Sequence, residues 1–589
     1  MPTWTFSPYG LAPIFAGVSI INIQRNMMNE KKDKSYKKNL EPTAKFIHDL
    51  CEQQEVTISN LLSTKKKGYL SLNGRSMEVK LSIDIEEIGE SADIQSPESG
   101  VSVLVTSLQM DSDSGNYFVP EAYSLTSFPT CDSSGKCYIP CTLSLSQFMD
   151  FEWYKERKRR ETWEGKRSER KKRGRKKRER KKRDRRWKKG LQERKYFYRF
   201  LVPLPQETCI WDSIQATSSN TFVKDSDDKL DSFVEIVSPG ETRIHTYLSC
   251  ISIQGKTPEY LVIESQTPCT YTEMHEYMYA VSLSLGLVTS VAPFDYAFFV
   301  ASETLDFDGI LMGGFIQLRP TIESQYRFFT TDLDHVYKRL KGKAEYTLHQ
   351  LRDKNGKVKD RLDPMTEQDF SGLVSMLHRS KDLARAALML IDSSMNLECM
   401  GVTYAVALET ICSVLIEANK ESFSDYFEKR KRDEEWISNK NKLTRPFEQL
   451  VEIGHELSEE KRDELVNIRN SFLHGGVLGF SHTEYYKLQY PCMKLRCFCG
   501  ILLLRYAGYK GPILNNAVAL GLEEAIANKE PLFITYDEEA AKELVEKRKK
   551  EKQKEEEEKK KKQSQDKNNT RNQGKEKSPQ PTEKPEASV

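Results

Sequence analysis

The sequence predicts an α+β protein, β-rich in its N-terminal and central regions and all-α toward its C-terminal end. Three observations predict this. Short runs of alternating apolar and polar residues, bounded by Gly, Pro and Asn, occupy 66–110 and return from 196 to 330. From 365 to 510 the apolar spacing changes to three and four residues, the period of packed helices. Two charged tracts without any apolar stripe, at 155–195 and beyond 537, separate or end the globular parts. The resulting division is an N-terminal segment 1–43, a β-rich domain 44–150, a basic segment 151–195, a second β-rich domain 196–364, a helical domain 365–510 and a charged tail 511–589.

Composition agrees with globular parts diluted by charge. Only 38% of the 589 residues are hydrophobic and 30% are charged, which is low for one compact body. The net charge of +3 conceals an asymmetry: residues 155–195 hold 25 Lys/Arg and seven Asp/Glu, +18, so the remainder carries 3 − 18 = −15. Twelve cysteines at irregular spacings read as free thiols in a reducing, cytoplasmic setting. Neither Cys131, Cys137 and Cys141 nor Cys492, Cys497 and Cys499 has the paired CxxC spacing of a zinc site, so no metal is assigned.

In chain order, residues 1–24 carry no charge, but their apolar stretch is too short and too broken by Pro13 and Gly17 to span a membrane. MMNEKKDKSYKK at 27–38 reads as an ordinary N-terminus, which places the start of translation at Met27 or Met28. Residues 44–62 mix a short helix with a turn, and GYLSLNGRSMEVKLSIDIEEI reads as a β-hairpin turning at Asn73–Gly74. SGVSVLVTSLQM at 99–110 is a further strand, and the Ser-, Asp- and Gly-rich run to about 145 reads as loop.

The basic segment repeats ERKKR, GRKKR and ERKKR with a five-residue period from 169 to 183. No buried helix can form from it. Its cations, among them Arg170, Lys171, Lys172, Arg173, Arg175, Lys176, Lys177 and Arg178, suit salt-sensitive, sequence-indifferent capture of nucleic acid, and Trp153, Trp163 and Trp187 could stack on bases. The same tract read as a low-complexity insertion between two strands has no specific role.

Strands then recur in YFYRFLVPLP, SFVEIV, RIHTYLSCISIQG and EYLVIESQ, followed by a buried helix at 274–290 and strands in YAFFVAS and GILMGGFIQLRP. His245 and His275 stand alone on apolar segments and read as packed core residues. No GxGxxG, P-loop, HExxH or GxSxG string stands in a fitting context, which removes the usual nucleotide-binding and hydrolase classes.

From 365 six helical segments follow, and His378, His455 and His482 lie among them without partner spacing. The fifth, SEEKRDELVNIRNSFLHGG at 458–476, has Ser458 as N-cap, Glu459 and Glu460 in its first turn and Gly475–Gly476 as its stop. Leu465, Ile468 and Phe472 form its apolar face, Asn467, Asn470, Ser471 and His474 a polar stripe, and Arg469 the border. Arg469 and His474 stand about 140° apart on a continuous helix, so they meet at one substrate only if the end unwinds or a second copy contributes.

The string RNSFLHGG resembles the Arg-x4-His signature of HEPN domains. With ECMGVTYAVALETICSVLIE at 398–417 it is similar to the Apea-like HEPN family of abortive-infection and anti-phage proteins, over roughly residues 365–510. The spacing alone is uninformative. What distinguishes it is a helix end, Asn after Arg, Gly after His and an acidic residue on a preceding apolar helix. The resemblance implies a homodimeric helical bundle, Arg469 and His474 as the catalytic pair of a ribonuclease, Asn470 as their polar neighbour and Glu409 as acidic support. It implies RNA as the partner, neither cofactor nor metal, and a role in defence. The alternative is a HEPN fold kept for binding, without turnover.

Overall fold

The computed structural model describes residues 40–59, 65–73, 76–84, 102–112, 115–126, 130–131, 137–145, 147–150, 195–205, 210–215, 233–237, 242–251, 257–352, 361–392, 396–429, 435–449, 459–474 and 486–536, with scattered positions at 356–359 and 538–550. Helices and antiparallel sheets occur side by side, as an α+β chain requires. They divide into two compact units, one reaching to Asn396 with Ala519–Gly521, the other made of Leu397–Val518 and the residues from Leu522 onward.

In the first unit, helix α1 (Glu41–Cys51) precedes strands β1 (Gln54–Ser59), β2 (Lys66–Asn73), β3 (Ser76–Asp84), β4 (Ser102–Ser112), β5 (Gly115–Thr126), β6 (Thr130–Cys131), β7 (Cys137–Leu145) and β8 (Gln147–Asp150). The hairpin read at Asn73–Gly74 has β2 and β3 on its two sides, with Asn73 opposite Ser76. The stretch read as loop before 145 instead holds β5 to β7. In β5, GNYFVPEAYSLT, Asn116, Ser124 and Thr126 fall at positions of the same parity, so they share one face of a strand and do not mark a break. β5 pairs with β4 along one side and with β7 along the other, which closes β5-β4-β1-β2-β3-β7 into a ring of six strands. Val56, Ile58, Leu70, Met77, Val79, Met110, Val119 and Leu145 from these strands are buried.

The chain continues through β9 (Phe197–Pro203), β10 (Phe233–Val237), β11 (Arg243–Cys250), β12 (Glu259–Ser265), helix α2 (Tyr271–Thr289), β13 (Val291–Ala292), β14 (Tyr296–Ser302), β15 (Met312–Gln317), β16 (Ile322–Glu323) and helices α3 (Glu367–Arg379) and α4 (Lys381–Ile391). β8 pairs with β15, so both β-rich regions share one sheet in the order β10-β11-β12-β9-β14-β15-β8-β5-β4-β1-β2-β3-β7-β6. One hydrophobic core runs through both, from Val56 and Val79 to Val262 and Phe298. Between β8 and β9 the basic tract, with Arg170 to Arg178, lies outside the described residues.

α1 lies against both regions. Ile47 and Leu50 enter the shared core, and Phe46 rests on Gly313 of β15, where any side chain would collide with its ring. Arg199 of β9 and Glu264 of β12, each 1% exposed and paired in register, form a buried ion pair at 2.8 Å. Arg199 also donates to Thr43 of α1 at 2.6 Å, and Tyr247 and Gln266 each donate to Glu264 at 2.8 Å. Burial opposes the Arg199 charge, but Tyr247 and Glu264 outweigh it and raise the pKa.

The helical region read from 365 begins inside this first unit, because α3 covers the free edge of β10. The N–H of Glu235 donates to Glu367 at 2.6 Å, that of Val237 donates to Ser371 at 3.1 Å, and Ser375 donates to the Val237 carbonyl at 3.4 Å. Four residues of helix rise about 6 Å and two of strand about 6.6 Å, so Glu367 and Ser371 meet successive outward N–H groups, and Ser375 adds a second bond to Val237. An edge capped in this way cannot template a second chain. His378 of α3 stacks on Tyr277 of α2 at 3.7 Å, and burial lowers its pKa. His245 packs on Phe233 and His275 on Tyr271.

Glu264→Leu is expected to strand the buried Arg199 charge and destabilise the first unit by about 3–5 kcal/mol in urea denaturation, whereas Thr43→Val should cost about 1 kcal/mol.

Candidate active site

The second unit is built on α5 (Leu397–Ala418), α6 (Asn439–Gln449), α7 (Glu459–Leu473) and α8 (Gln489–Tyr506). α5 is apolar enough and long enough to cross a membrane by composition, yet 56% of its apolar window is buried within the protein, which marks a core helix. Met400, Tyr404, Leu408, Ile411 and Leu415 are among its buried residues. Its other face leaves Val402 40% and Val406 37% exposed.

α7 carries the motif. Glu459 and Glu460 occupy its first turn, where the helix dipole favours them; Ser458 and Gly475–Gly476 lie outside the described residues. Its buried stripe is Leu465, Arg469 and Phe472, at spacings of four and three. Arg469, read from sequence as a border residue, is 7% exposed, while Ile468 is only partly buried.

A partner on α5 permits this burial. Arg469 pairs through Nη2 with Glu409, itself 27% exposed, and donates from Nη1 to Asn470 Oδ1 at 2.7 Å. Its Nε is buried with no hydrogen-bond partner among the described residues. Desolvation lowers the guanidinium pKa, but from a value so high that the charge persists at neutral pH. Glu409, Arg469 and Asn470 therefore come together.

His474 does not join them within one chain. Its N–H still donates to the Asn470 carbonyl at 2.9 Å, so the helical ladder continues through His474 without unwinding. The imidazole is exposed at the helix end, about 140° around the axis from Arg469.

α7 is also braced from α8. Lys494, 9% exposed, contacts Glu530 at 2.8 Å and Glu464 of α7 at 3.7 Å, and Glu530 further accepts from Tyr490 at 2.5 Å and Asn515 at 2.9 Å. Burial opposes the Lys494 charge, but Glu530 holds its pKa above the ordinary lysine value. Burial pushes the thiols of Cys412, Cys492 and Cys497 up to about 12, which makes them packing groups, not nucleophiles. Among the described residues no group of three His, Cys, Asp or Glu side chains could hold a metal ion. The side chains of Cys131, Cys137 and Cys141, and all of His455 and His482, lie outside the described residues.

No protein-family profile matches the chain, and no curated protein matches it. A solved structure of K. pneumonia MrkH in its apo state is similar at 11% identity, over 41% of this chain and 86% of that one, with a TM-score of 0.10. A likeness that slight bears on neither fold nor function.

Glu409→Ala is expected to destabilise the second unit by about 1–3 kcal/mol in urea denaturation, because it leaves the buried Arg469 charge uncompensated. Asp463→Ala removes the exposed Lys440–Asp463 pair of α6 and α7 and should change stability by less than about 0.5 kcal/mol.

Proposed function

We propose that the chain is a HEPN endoribonuclease that cleaves RNA without a metal, acting in the cytoplasm as a homodimer, in defence against phage. The observation that carries the reading is the buried contact between Arg469 of the motif helix and Glu409 of the preceding apolar helix, the pair that the resemblance to Apea-like HEPN domains implies. Arg469 keeps one donor nitrogen, Nε, without a hydrogen-bond partner among the described residues, which supports a cation that still has a donor to offer a phosphate.

In this reading His474 takes the proton from an RNA 2′-hydroxyl. The 2′-oxygen then attacks phosphorus, the bond to the 5′-oxygen breaks, and a proton passes to that leaving oxygen. The products are a 2′,3′-cyclic phosphate and a 5′-hydroxyl. Arg469 stabilises the charge that builds on phosphate, Asn470 orients one arm of the guanidinium and Glu409 the other. DNA lacks the attacking hydroxyl and is no substrate.

His474 stands on the far side of α7 from Arg469, so the reading takes the two groups of one cleavage site from two copies of the chain. The exposed Val402 and Val406, on the helix that carries Glu409, support an interface there. The basic tract, including Arg170 to Arg178, would capture RNA by charge alone.

A second reading rests on the depth of Arg469. With both terminal nitrogens engaged and 7% of the residue exposed, it can equally serve as a structural cation in a binding module without turnover. Expression of the wild type, His474→Ala and Arg469→Lys, with growth and RNA ends as readouts, separates the two. The nuclease reading expects 2′,3′-cyclic phosphate ends from the wild type and a loss of at least about 100-fold in both variants, at equal soluble yield. Equal cleavage by His474→Ala removes its catalytic role; no cleavage by any of the three leaves the binding module.

A further inference from the structure

We propose that Gly401 of α5 is a positioning residue for the Arg469–Glu409 pair, an inference that rests on the nuclease reading for its catalytic consequence but not for its geometry. Phe472, three residues beyond Arg469 on the same stripe of α7, lays its ring on Gly401, and a Cβ at that position would come within 2.1–2.4 Å of three ring atoms. Phe472 is itself only 6% exposed, so moving the ring means repacking its neighbours. The backbone of α5 at Gly401 is thus the floor on which α7 rests.

Glu409 lies eight residues further along α5, about 12 Å up its axis. α7 touches α5 through Phe472 at Gly401 and, three residues earlier on α7, through the long side chain of Arg469 at Glu409. Displacing the carboxylate weakens the compensation of a guanidinium that is itself largely buried. Lys494 fixes Glu464 on the α8 side and does not set the spacing to α5. Any side chain at position 401 therefore lifts the C-terminal half of α7, separates Arg469 from Glu409 and tilts the end that carries His474.

The test is a cycle in the full chain read by amide hydrogen exchange over 465–473, with cleavage kinetics alongside. Glu409→Gln should raise exchange there at least tenfold in the wild type and less than twofold in Gly401→Ala, where the pair is already parted. Adding Phe472→Leu to Gly401→Ala makes room for the new methyl group and should restore the sensitivity to Glu409→Gln. If the wild type cleaves RNA, Gly401→Ala should lower kcat at least tenfold with KM within twofold, and Phe472→Leu should recover it. An undiminished Glu409→Gln effect in Gly401→Ala overturns the proposal. If Gly401→Ala fails to fold, Phe472→Leu alone, which empties the floor without a clash, should halve the Glu409→Gln effect, and an unchanged effect overturns it. A wild type that never cleaves, with the exchange cycle behaving as stated, defeats the nuclease reading and leaves Gly401 as the residue that sets the pair.

Discussion

Burying a guanidinium is costly, and the motif helix does so at Arg469. The arrangement of the second unit follows from making that tolerable. A carboxylate has to come from another helix, which is Glu409 of α5. α5 has to approach closely, which the bare backbone at Gly401 allows and the ring of Phe472 uses. α5 must also be held rigidly, and its apolar residues on α6, α7 and α8 do that.

The chain contains a second buried arginine–carboxylate pair, and the contrast separates structure from function. Arg199 and Glu264 are enclosed by Thr43, Tyr247 and Gln266, and the ring of Phe307 lies 4.0 Å from the guanidinium. That network ties α1 to two strands of the shared sheet and leaves Arg199 surrounded. Among the described residues the partners of Arg469 are Glu409 and Asn470, Nε has none, and the helix end with its histidine lies just beyond. The first pair fits a structural bolt. The second keeps a donor nitrogen without a partner among the described residues, at a helix whose exposed end carries His474.

Much of this was legible in the sequence, and the rest was hidden for physical reasons. The alternation of β2 and β3 and the apolar periods of α2, α5 and α8 depend on residues close in the chain, so local reading finds them. The ring closure of β5 on β7 and the join of β8 to β15 depend on long-range pairing that leaves no local pattern. Ser, Thr and Asn on β5 look like loop composition until their partners are known. α3 has the same helical period whichever layer it covers, and only the hydrogen bonds of Glu367 and Ser371 to β10 reveal its place. At the site, Arg469, Asn470, His474 and Glu409 were named from the motif. The depth of Arg469 was not, since periodicity counts arginine as polar and its burial depends on Glu409, sixty positions earlier in the chain. Gly401 carried no readable mark, because the ring that fills its place comes from another helix.

The central claim is that one cleavage site draws Arg469 and His474 from different copies of the chain. Co-expressing Arg469→Ala with His474→Ala tests it most directly, with 2′,3′-cyclic phosphate ends as the readout. In a two-fold dimer that mixes freely, half the dimers carry both variants and each of these keeps one intact site, so about a quarter of wild-type cleavage should return although each variant alone is inactive. Cleavage no higher than either variant alone, with mixed dimers demonstrated, would contradict a site shared between copies.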